Sequence, residues 1–119
     1  MEFNQIFPSI ESCKELQKIN CFQESLFMWV ETINHPVERY HKQHLALPII
    51  APAPTTDELL AELPFAVDGE FFELFKNGTG KSTIYLADYN AETQYISSSK
   101  FPVQALTDLF LKLKSEKII

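Results

Sequence analysis

Gly80-Lys81-Ser82, with Gly78-Thr79 just before it, holds the glycine, lysine and hydroxyl that close a phosphate-binding loop around a nucleotide. In such a loop a further glycine stands five residues before the last one, so that backbone amides can wrap the phosphate, and a helix follows the lysine. Here position 75 is phenylalanine, and the residues after Lys81, STIYLADY, have strand character. The segment is therefore read as a hairpin tip with Lys81 in solvent. His41-x-x-His44 is the second candidate, because two imidazoles on one face can ligate a metal. On a strand that spacing sends them to opposite sides, and no spacing in the chain supplies a third or fourth ligand. Together with His35 they are read as solvated surface histidines. The carboxylate pairs Asp57/Glu58 and Glu70/Glu73 offer an acid and a base in principle, but the first belongs to a helix start and the second brackets a strand. No serine sits in a GxSxG elbow, and neither Cys13 nor Cys21 has a signature pairing it with a histidine. No catalytic, metal or cofactor-binding residue follows, no cofactor is implied, and the protein is expected not to be an enzyme.

The elements that would position such residues come next. The chain has 119 residues, 45% of them hydrophobic and 13% aromatic, which is too apolar for disorder and matches one core. A single compact domain over 1–119 is expected. Sixteen acidic against ten basic residues give a net charge of −6, and no run of Lys or Arg is dense enough to neutralise a phosphate backbone, so direct nucleic-acid binding is not expected. No stretch approaches the ~20 apolar residues of a membrane span. Met1 to Pro8 lacks the apolar centre of a signal peptide, which suggests a soluble, cytoplasmic protein whose two cysteines are free, small hydrophobes rather than a disulfide. Asn77-Gly78-Thr79 matches a glycosylation sequon but is read as turn chemistry.

Two aromatic-rich runs, EFFELFK and STIYLADY, flank Asn77-Gly78-Thr79-Gly80 and predict a β-hairpin over 70–90. Ahead of it, Ser9 can cap a helix with Ile10, Cys13, Leu16 and Ile19 at helical spacing. Ser25 to Ile33 reads as a strand apolar on both faces, Asn34-His35-Pro36 as a turn, and Arg39 to Leu47 as the returning, more polar strand. Three prolines between Pro48 and Pro54 exclude helix interior and central strand, leaving an extended connector laid against the body. Thr55 with Glu58 is a capping box opening a helix with Leu59, Leu60 and Leu63 inward, stopped at Pro64. A turn at Asp68-Gly69 leads into the hairpin, Thr93 to Ser98 reads as an edge strand, and Pro102 starts a last helix with a stripe of Val103, Leu106, Leu109, Phe110 and Leu113. The expected fold is α+β: one antiparallel sheet of about five strands with three helices, in the order α-β-β-α-β-β-β-α.

Among the strand aromatics, Trp29, Tyr40, Tyr85 and Tyr95 are candidate interface residues, since rings with one wet end are enriched at protein contacts. Packing within the domain is the competing role for each. The segment APAPTTDELL at 51–60, closed by Leu63-Pro64, resembles small uncharacterised proteins of bacterial prophages and mobile elements. As in those proteins, a Trp-containing strand precedes the segment, and a strand hairpin and a final helix containing Ala105-Leu106-Thr107-Asp108-Leu109 follow it. The resemblance runs from Ser9 onward and implies an accessory protein, without carrying over any catalytic residue. The expected function is protein–protein interaction or self-association, with a protein partner or a second copy. The alternative is a small-ligand or metal-binding protein using the aromatic faces or the His41/His44 region. A weaker one is an acidic DNA mimic, which rests on net charge while the acids are spread along the chain.

Overall fold

The structure is a computed structural model describing residues 5–39, 47–89 and 95–119. Three helices form where capping and periodicity coincide. Helix α1, Ile10–Lys18, starts where Ser9 Oγ accepts the Ser12 N–H at 3.3 Å, and it buries Cys13 and Leu16. Helix α2, Thr56–Glu62, carries the expected capping box: Thr55 Oγ1 accepts the Glu58 N–H at 3.2 Å while the Glu58 carboxylate accepts the Thr55 N–H at 2.9 Å. The same carboxylate accepts from Ser25 Oγ and from the Leu26 N–H, so one side chain both starts a helix and ties down the strand entry before it. Leu59 and Leu63 are buried, but Leu60 is 40% exposed and does not join their stripe. A helix this short presents one narrow face, and Leu60 lies beside it. Helix α3, Pro102–Ser115, buries all five residues of its expected stripe.

Strands β1 (Phe27–Val30), β2 (Val37–Glu38) and β3 (Ile49–Pro52) make one antiparallel sheet in the order β2-β1-β3. Both faces of β1 are covered: Met28 and Val30 pack with Val37, while Phe27 and Trp29 pack with Phe7, Cys13 and Ala51. The return strand begins earlier than expected, with Phe27 opposite Glu38, and the expected strand over Arg39 to Leu47 falls mostly outside the described residues. The proline-rich connector is extended as expected, yet it is also paired. Trp29 faces Ala51 and Met28 faces Pro52, because proline is admissible on an edge strand, where an absent N–H breaks no second ladder.

Strands β4 (Ala66–Val67) and β5 (Glu70–Phe71) form a small hairpin through Asp68 and Gly69, both at positive φ. Strands β6 (Glu73–Asn77), β7 (Ile84–Asp88) and β8 (Ile96–Ser99) form the third sheet, in the order β6-β7-β8. The architecture is thus α+β with three small antiparallel sheets of three, two and three strands, not one sheet of about five. The element order departs from α-β-β-α-β-β-β-α because the connector supplies β3 and the Asp68-Gly69 turn supplies a separate pair.

The largest core cluster lies where α3 packs on β7 and β8 and against α2 and α1; Leu16, Leu59, Ala87, Tyr89, Leu106 and Leu109 meet there. Helix α1 packs on β3 in turn, which places the two long helices between the first and third sheets. Gln104 of α3 locks them together, accepting the Ser9 N–H at 2.7 Å and donating to Ser12 Oγ at 2.8 Å. Among the described residues, no helix is long and apolar enough to cross a membrane.

Candidate functional site

The β6–β7 hairpin leaves the core with one face against α3 and the other open. Its register pairs Leu74 with Ala87 and Lys76 with Tyr85 on the inner face, and Phe75 with Leu86 and Asn77 with Ile84 on the outer. All five residues of β6 are exposed, Phe75 at 40%. Beside them, the rings of Phe65 and Phe71 pack at a tilt of 58° with centroids 5.1 Å apart, while remaining 80% and 62% exposed. Among the described residues the outer edge of β6 has no strand partner, so its backbone groups face solvent. The loop that turns the chain demands glycine at position 78: φ is +90°, and a Cβ there would lie 2.5 Å from the Ser82 carbonyl oxygen.

At the tip, a turn of 3-10 helix over Gly80–Ser82 brings Lys81 toward the junction of β8 and α3. The result is an open groove of about 610 Å³ lined by Lys76, Lys81, Lys100, Thr83, Tyr85 and Phe101, among others. Among the described residues no carboxylate lines it, and the ion pair between Lys18 and Glu15 involves none of its lysines. At the other end of the hairpin, Asp88 is buried opposite Glu73, and its Oδ2 has no hydrogen-bond partner among the described residues. Burial, and then the Glu73 charge, push the Asp88 carboxyl above its ordinary pKa. Tyr89 next to it donates to the Pro64 carbonyl at 2.5 Å, and burial pushes its phenol up to about 12.

The candidate interface aromatics do not converge. Trp29 is half-buried in the first sheet, with its indole nitrogen sealed from solvent and, among the described residues, no well-formed hydrogen bond to it beyond the neighbouring Cys13 sulfur. The Cys13 thiol beside it is pushed up to about 11, chiefly by burial and also by the Glu11 charge, with the Trp29 indole acting in the opposite sense, so this is an inert thiol. Tyr85 and Tyr95 pack at the margin of the main core, Tyr85 also facing the groove; Tyr40 lies outside the described residues, as do His41 and His44. Both Cys13 and Cys21 are free. The Asp57/Glu58 pair is spent on the start of α2, and Glu70 and Glu73 lie exposed along the β5–β6 run. Sequence reading missed the lysine groove. Lys76 sits beside Tyr85 through the β6–β7 register, and Lys100 joins them only through the β8 register, in which Ser99 faces Tyr85.

Comparison with protein families, curated proteins and solved structures finds no match to this chain.

Proposed function

We propose that the protein is a non-enzymatic accessory protein, of the phage or mobile-element type that its 51–64 segment resembles, and that it acts by protein–protein contact through the free edge of β6. The partner is a second copy of the chain. The observation carrying this reading is that every residue of β6 is exposed, Leu74 and Phe75 included, and that among the described residues the strand has no partner on its outer side. An open backbone edge is a template for another strand, and two copies can satisfy it mutually by a two-fold. Antiparallel pairing about Phe75 is self-consistent in charge. It sets Phe75 against Phe75 of the partner subunit, Glu73 against Asn77 of the partner subunit, and Leu74 against Lys76 of the partner subunit, so that no like charges stand opposite. Lys76 then serves as a guard against other registers, as edge lysines commonly do.

Light scattering on a size-exclusion column tests this. The parent chain is expected to run as a dimer at micromolar concentration, and Phe75→Lys, which sets two ammonium groups face to face, as a monomer with an unchanged melting temperature. A strictly monomeric parent refutes self-association.

A further inference from the structure

We propose that the groove between the hairpin tip and the start of α3 binds a small phosphate-bearing ligand, with Lys81 and Lys100 holding the phosphate. The protein carries a net charge of −6, yet Lys76, Lys81 and Lys100 all line this one groove, and among the described residues no acid lines it. An anion bound in a groove lined by three lysines is attracted by all of them and gains charge-assisted hydrogen bonds. The remaining lining suits the rest of such a ligand. Thr83 and Tyr85 offer hydroxyl groups, and the half-buried rings of Tyr85 and Phe101 offer apolar surface for a planar or hydrocarbon part. The volume of about 610 Å³ accommodates a molecule of nucleotide size, within the ~300–1,000 Å³ of typical ligand sites. This is a different device from a phosphate-binding loop. There the backbone of one loop wraps the anion ahead of a helix, whereas here the side chains come from three places in the chain: β6, the tip and the β8–α3 junction. Lys81 and Lys100, which hold the phosphate, lie outside β6, so failure of the dimer and failure of this site are separate outcomes, although Lys76 belongs to both surfaces.

Calorimetric titration of the full chain with inorganic pyrophosphate and with adenosine 5′-monophosphate tests the site. Both are expected to bind. Lys81→Ala and Lys100→Ala should each weaken binding by about tenfold, the usual loss for a hydrogen bond to a charged group, while Lys81→Arg retains it. Both lysines are exposed, so the melting temperatures of the unliganded variants should match the parent. No binding of either probe at millimolar concentration overturns the proposal, as does a loss below about threefold in either alanine variant. A short single-stranded oligonucleotide that binds more tightly than the mononucleotide, with steep dependence on salt, overturns the small-ligand assignment.

Discussion

Asp88 is a carboxylate that folding carries out of water: it is 1% exposed, and one of its oxygens has no partner among the described residues. Its position follows from the alternation of β7, which turns Leu86 and Asp88 to the outer face while Ala87 meets α3. An acid whose folded pKa exceeds its unfolded one holds its proton more tightly in the folded state. Stability therefore falls as the pH rises from the unfolded value of 3.8 through the raised folded value, and is recovered on acidification. Asp108 adds in the same direction through burial, against the stabilising hydrogen bond from Gln104. Asp88→Asn is expected to be more stable than the parent by about 1 kcal/mol at pH 7.5, with the difference vanishing near pH 4. Urea midpoints at the two pH values measure this, and an equal difference at both refutes it. Strand alternation was enough to put Asp88 on the outer face, but not to bury it. Burial depends on what surrounds the end of β7, which no local pattern encodes.

Helix α3 was the most legible part of the chain. Pro102 at its first turn and five apolar residues at helical spacing specify its start, length and inward face without reference to anything else. The capping box of α2 was legible for the same reason. By contrast, β3 was hidden, because prolines argue against a ladder unless the strand is known to lie at an edge, and edge position is a property of the assembled sheet. The division into three sheets was likewise non-local. Two positive-φ residues, Asp68 and Gly69, let a two-residue hairpin close on itself and detach β4 and β5 from the strands that follow. The difference in burial gives a graded prediction. Leu106→Ala, at a fully buried site, should cost about 2–5 kcal/mol, whereas Phe72→Ala should cost less, since that ring is only partly buried and rests on Tyr89. Chemical denaturation compares the two, and the reverse order would show that the inner face of the hairpin is misassigned.

Taken together, the two three-stranded sheets are held apart by a pair of helices, with the cores on either side of α1 joined through Gln104 and the α1–α3 contact. Its radius of gyration of 14.8 Å, against roughly 13.5 Å for a compact chain of this length, fits a hairpin that projects from the body. The lysine groove belongs to this level as well, because its walls meet only when β6, the tip and the entry to α3 have assembled. That is why a motif search around Lys81 could reject the phosphate loop and still overlook the charge cluster. The distribution of chromophores has an optical consequence. Trp29, the sole tryptophan, lies in the cluster between α1 and the first sheet, while Tyr85, Tyr89 and Tyr95 pack around the main core on the far side of the helices. Its emission thus reports melting of one half, and three of the four tyrosines lie in the other, so tyrosine absorbance is weighted toward that half. Coincident thermal transitions from the two signals are expected if the Gln104 bridge couples the halves into one cooperative unit, and separate midpoints would mark them as independent. A buried indole that serves the fold only as packing becomes, for the experimenter, a built-in label on the half of the molecule that the hairpin does not reach.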